Sequence, residues 1–137
     1  MSPIRSFEVF GERVDVLIDS SMTNGCSSVI VQHVAPGGGP PPHNHKKEDE
    51  TFAVLEGEFE IFREGVWYRL PRGEVAYAQR GSIHTFRNSG TSAGRILVFI
   101  VPGGFEDYLE AVSPYFPASD MLKIQEISAR YGITLYV

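Results

Sequence analysis

From Phe7 to Val101 no apolar run goes far before glycine, proline or a polar cluster interrupts it. That punctuation excludes long helices over most of the chain and leaves short strands joined by tight turns. FEVFGERVDVLI reads as two β-rich runs around Gly11-Glu12. CSSVIVQHVAPG is a Val/Ile-rich strand stopped at Pro36-Gly37, and ETFAVLEG is a strand closed by Gly57. EFEIF and VWYRL alternate in polarity on either side of Arg63-Glu64-Gly65, a hairpin signal. EVAYAQ lies between Gly73 and Gly81, SIHTFRN follows, and RILVFIV ends at Pro102-Gly103-Gly104. Strands this short and this closely spaced predict an all-β sandwich or barrel.

The end of the chain follows a different period. FEDYLEAV puts Phe105, Tyr108, Leu109 and Val112 on one helical face. SDMLKIQEISARYG places Leu122, Ile124, Ile127 and Tyr131 at three- and four-residue steps, with Ser119 or Asp120 as N-cap and Gly132 as C′ residue. One or two C-terminal helices packed outside the β layers are expected, with a packing role. At 137 residues the chain is expected to form a single domain, 1–137. Its barrel would cover about 24–102 and its helical extension about 103–132.

Charge narrows the function classes. The formal net charge is −5, and Lys46-Lys47 are the only adjacent cations, so a nucleic-acid interface is not expected. The N-terminus MSPIRSFEVFGERVDV has no apolar leader core, and no apolar run is long enough to span a bilayer. A cytoplasmic protein without membrane partners is the expectation. Cys26 is the only cysteine, so it has no internal disulfide partner and reads as a small buried side chain.

The segment GGGPPPHNHKKEDETF, 37–52, concentrates unusual residues. On a strand, His43 and His45 point to the same side, close enough to grip one ion. The prolines before them stiffen the approach and reduce the entropy lost in holding the imidazoles. A lone His-x-His is equally compatible with a solvated turn. A third histidine, His84, lies in GEVAYAQRGSIHTFRN, another glycine-punctuated β run. Three imidazoles plus an acid from KKEDE suit Fe, Mn, Ni, Co, Cu or Zn.

At this point the sequence resembles the cupin superfamily. The first cupin motif has Gly, His-x-His, Glu and Gly at set spacings, and Gly37, His43, His45, Glu50 and Gly57 match it. The second is matched by Gly73, Gly81, His84 and Asn88, with Gln79 where proline usually stands. The resemblance implies a cupin-type jelly-roll β-barrel holding one divalent transition metal on His43, His45, Glu50 and His84. Glu50 has the opposite parity to His43 and His45, so a bulge or turn must intervene, and KKED is the expected place. Glu48 and Asp49 are read as a solvated rim.

Within cupins the chain looks like small quercetin dioxygenase-like members. That implies a metal-dependent dioxygenase acting on a small enol-bearing or aromatic substrate, with Glu50 as catalytic base. A metal-dependent isomerase or lyase and a non-catalytic small-molecule binder are the alternatives. The expected partner is a small molecule, in a protein expected to be a homodimer. Phe52 and Val54 share the parity of Glu50, and Phe86 shares that of His84; with Tyr77 they are the candidate pocket. His33 is read as a surface or core histidine, Asn88 as ordering a turn, and Trp67 as packing.

Overall fold

A computed structural model describes residues 2–137. The strands are β1 (Arg5–Val9), β2 (Glu12–Ile18), β3 (Ser28–Val34), β4 (His43–His45), β5 (Asp49–Glu56), β6 (Phe59–Arg63), β7 (Val66–Leu70), β8 (Val75–Ala78), β9 (His84–Asn88), β10 (Gly94–Val101) and β11 (Ile133–Leu135). Two helices, α1 (Phe105–Val112) and α2 (Pro117–Arg130), separate β10 from β11. The strands form two antiparallel sheets, ordered β1-β2-β3-β10-β5-β8 and β11-β4-β9-β6-β7.

Alternation builds the interior. Along β5 the buried positions are Glu50, Phe52 and Val54, and the others are half-buried or exposed. Ile30, Phe52, Val98 and Ile100 of the first sheet join Phe59, Ile61 and Phe86 of the second in one buried cluster. The turn between β6 and β7 is Glu64-Gly65, with both φ angles positive (53° and 78°), the type I′ signature that matches strand twist. The first hairpin turns on Phe10-Gly11 in the same way, one residue earlier than the sequence suggested.

The sequence expectations need correction in part. Among the described residues the two sheets are not closed into one barrel: β8 and β7 each have a ladder partner on one side only. The two C-terminal helices are present, and a short strand outside the expected helical extension, β11, follows Gly132 and pairs with β4. Helix α2 starts at Pro117, where proline's fixed φ suits the first turn, but its backbone breaks at Asp120 (φ −124°, ψ 25°), one of the two positions expected as its cap; the Asp120 carboxylate accepts from the Phe116 N–H at 3.0 Å. Its apolar face is narrower than the spacing suggested: Ile124 and Ile127 are buried, but Leu122 is 85% exposed. Helix α1 buries Phe105, Tyr108, Leu109 and Val112 as the pattern required. Its Glu106 is fully buried and accepts from the N–H groups of Ser20 (2.7 Å) and Gly104 (3.0 Å), fixing how the helix starts.

Candidate metal centre

The approach to β4 lies flat on β9. Gly37 N–H donates to Asn88 O (2.9 Å), and Asn88 N–H donates to Gly38 O (3.0 Å). At Gly39, φ is +148° and an added Cβ would stand 2.0 Å from Phe86 O, so only glycine allows this contact. Pro40 and Pro41 have no N–H but use their carbonyls: Thr85 Oγ1 donates to Pro40 O at 2.6 Å, and His43 Nδ1 meets Pro41 O at 2.8 Å. The glycines and prolines thus seat the strand that carries the histidines.

The structure brings His43, His45, Glu50 and His84 together, all buried, with one ligand atom from each within 4.8 Å of the others. Both sheets contribute. His43 and His45 come from β4 and His84 from β9, with His43 directly opposite His84. Glu50 comes from β5 in the other sheet, opposite Ile100 and Ala78. The parity change predicted between His45 and Glu50 is the switch from one sheet to the other through Lys46–Glu48.

Hydrogen bonds orient the rings. A carbonyl only accepts, so the contacts to Pro41 O and to Ser82 O (3.0 Å) put a proton on Nδ1 of His43 and of His84. In a neutral ring held this way, Nε2 carries its lone pair toward the cluster. Glu50 Oε1 lies 2.9 Å from His84 Nε2 and 2.7 Å from His45 Nε2. The His45 contact is not aligned as a hydrogen bond, leaving Nε2 without a hydrogen-bond partner. Lone pairs facing a carboxylate at these distances need protons or a cation between them. The donor set, imidazole nitrogens with one carboxylate, fits a first-row divalent ion. The separations are near the roughly 3–4 Å that bonds of about 2.1 Å around one ion require.

Charge within the cluster is uneven. Burial pushes His43 down to about 3, and the neighbouring imidazoles His45 and His84 add to it. Burial opposes charge on His45 as well, but Glu50 and Glu48 outweigh it and raise His45 to about 9. Burial alone would raise Glu50; His45 and His84 reverse that and hold its carboxyl well below the usual range.

A cavity of ≈ 360 Å³ opens onto His43 and Glu50. Phe52 and Phe86 line it, together with Phe105, Tyr108 and Met121 from the helices. Glu12 and Gln32 are the polar side chains bordering it from β2 and β3; burial raises Glu12 to about 7 against a backbone bond from Ala35. Val54 is buried in the core but does not border the cavity. Tyr77 is 49% exposed on the outer face of β8 and does not border this cavity. Small Ala76 and Ala78 take the inward positions there, leaving room for Phe52 and the site.

Other expectations resolve here. Glu48 is buried, not a solvated rim, and faces His45. Asp49 pairs with Arg80 at 3.1 Å. His33 pairs with Asp15 at 2.7 Å, away from the cluster. Asn88 ties a turn through Val34 O, Ser92 O and Gly90 N. Trp67 lies under the Arg87 guanidinium at 3.9 Å. Cys26 is exposed rather than buried, because it sits in the loop after the Ser20–Thr23 turn and not in β3. Phe105 was read as packing alone, yet its ring meets His45 edge-on at 4.5 Å. Phe105, Glu12 and Gln32 carried no sequence signal for the site, and Glu48 stood only among the acids of KKEDE.

No helix among the described residues is long and apolar enough to cross a membrane. The sequence profile of the cupin domain family matches residues 30–100. An uncharacterized protein of Aquifex aeolicus is 34% identical over 55 residues, 40% of this chain; the match spans 46% of that relative's length. A Klebsiella pneumoniae protein with a double-stranded β-helix domain superimposes with TM-score 0.58 and 28% identity, over 75% of this chain and 79% of the other. KdgF from Halomonas sp. aligns with TM-score 0.67 over 75% of this chain and 90% of the other; at 18% identity the likeness is one of fold.

Proposed function

The chain belongs to the cupin domain family, and from that premise we propose that it is a metal-dependent dioxygenase of the quercetinase-like kind, acting on a small enol-bearing or aromatic substrate. The observation that carries this reading is the aromatic, largely apolar cavity opening onto His43 and Glu50.

A divalent transition ion held by His43, His45, Glu50 and His84 would supply Lewis acidity toward a substrate hydroxyl and an oriented place for dioxygen. The side chains do the rest. Phe52, Phe86 and Phe105 present ring faces and edges to a flat ligand body and exclude water from the site. A Glu50 carboxylate oxygen accepts the hydroxyl proton, a general-base role that needs only modest strength once the hydroxyl is acidified. Glu12 and Gln32 offer hydrogen bonds to a substituent elsewhere on the ligand.

The same lining argues against a sugar-like substrate. Beyond the cluster itself, few side chains here can pair with hydroxyl groups, and a polyol would leave several of its hydroxyls buried without partners. Oxygen uptake per bound metal, with flavonols and simpler enols, tests the reading. Uptake is expected with at least one of Fe, Mn, Ni, Co or Cu. No uptake by fully metallated protein discards the dioxygenase. Turnover without oxygen then indicates an isomerase or lyase, and ligand-induced thermal stabilisation without turnover indicates a binder.

A further inference from the structure

For an imidazole to aim one nitrogen at a metal, its other nitrogen must be held. Backbone carbonyls hold His43 and His84, through Pro41 O at 2.8 Å and Ser82 O at 3.0 Å. His45 has no such carbonyl. Its Nδ1 is buried with no hydrogen-bond partner. The group facing it is Glu48 Oε2 at 3.6 Å, itself buried and unpartnered, on a side chain only 8% exposed. The neighbouring acids have other engagements: Asp49 binds Arg80, and Glu50 faces the Nε2 atoms of His45 and His84. A carboxylate oxygen buried without a donor is costly, so Glu48 and His45 Nδ1 are each the group the other lacks.

We propose that Glu48 is a positioning residue of the metal centre, accepting the His45 Nδ1–H so that the Nε2 lone pair points at the ion. This rests on the metal-binding reading of the cluster. Closing the pair from 3.6 Å to bonding distance takes a shift of about 0.6 Å. The backbone around His45 is already pinned, by Gly81 N–H to His45 O (2.7 Å) and Lys46 N–H to Gly132 O (2.9 Å). The shift therefore belongs to the Glu48 side chain. An acceptor that is a carboxylate rather than a carbonyl also makes His45 the strongest donor of the three imidazoles.

The test is the affinity of the full chain for Co²⁺ and Zn²⁺, by competition with a chromogenic chelator, in wild type, Glu48→Ala, Glu48→Gln and Asp49→Asn. Glu48→Ala should bind roughly 10- to 100-fold more weakly. Glu48→Gln keeps an acceptor without the charge and should lose roughly 3- to 10-fold. Asp49→Asn removes the same charge one residue away, without contact to His45, and should stay within about twofold of wild type. In nitrogen-15 histidine spectra of the Zn²⁺ form, a slowly exchanging His45 Nδ1 proton should appear in wild type and vanish in Glu48→Ala. Wild-type affinity in Glu48→Ala, an equal loss in Asp49→Asn, or metal bound through Nδ1 of His45 overturns the proposal. Should Glu48→Ala not fold, unchanged affinity in Glu48→Gln overturns it and a loss supports it. A wild type that takes up neither ion overturns the metal-site reading, and Glu48's role with it.

Discussion

At the scale of single residues, Glu50 is the side chain with most to do. It lies 2.7 and 2.9 Å from two imidazoles and borders the cavity. Glu50→Asp draws the carboxylate back by about 1.5 Å, one C–C bond. His43, His45 and His84 still hold an ion, so metal content should persist while oxygen uptake per metal falls roughly a hundredfold. Equal activity in the variant would remove Glu50 from the proton transfer. Replacing His43, His45 or His84 by Ala should instead cut metal occupancy sharply with circular dichroism unchanged, since none of them belongs to the apolar core cluster; elemental analysis decides it. His43 and His45 were legible because strand parity and motif spacing agree on them, whereas Glu50 and His84 rested on motif spacing, Glu50 against its parity. Tyr77 enters the sequence reading for its hydroxyl and not for its parity, and β8 turns it outward while Ala76 and Ala78 face in. Glu48 was misread because a polar run is ordinarily solvated, and only the sheet-to-sheet switch at Lys46–Glu48 turns it inward.

Among elements, β11 is the one the sequence reading passed over. ITLYV after Gly132 is a β-rich run, but three residues at a chain end do not distinguish themselves from a frayed helix terminus. Its position gives it weight. β4 meets β9 at a single rung, His43 opposite His84, whereas β11 pairs with all three β4 residues: Ile133 with His45, Thr134 with Asn44, Leu135 with His43. Flanking bonds from Lys46 N to Gly132 O and from Tyr136 N to Pro42 O place Asn44 and Thr134 at a hydrogen-bonded position of the alternating ladder. Thr134→Pro removes that donor without touching the site. The expected result is metal affinity weakened roughly tenfold, an effect of the size seen when support of a ligand is lost, with the β6–β9 and β5–β10 ladders intact in hydrogen exchange. Unchanged affinity would mean that the proline-braced approach holds β4 without help. The long strands β3, β5 and β10 were legible because each alternates or runs apolar between clear breakers. The openness of the two sheets was not, because closure depends on whether β7 and β8 find second partners, which no local pattern encodes.

For the molecule as a whole, stability should depend on pH through groups outside the metal cluster. Asp15 is held down to about 2: burial works against it, but Ser6, His33 and Arg13 outweigh that. Its contribution is complete above the unfolded value near 3.8 and is lost as pH falls through about 2. Glu12 runs the other way. Burial at the cavity edge raises it from 4.5 to about 7, with Ala35 only partly opposing. Between those two values the folded state holds a proton that the unfolded chain has released, so stability falls as pH rises from 4.5 to about 7 and levels off beyond. His43 and His45 titrate as well, but they do so in any variant that leaves them intact. Subtracting the stability of wild type from that of Glu12→Gln, by urea unfolding at matched pH, isolates Glu12. The difference should rise in favour of Glu12→Gln between pH 4.5 and 7 and be flat on either side. A difference that does not change with pH would place the Glu12 carboxyl in open solvent, and with it the polar border of the cavity.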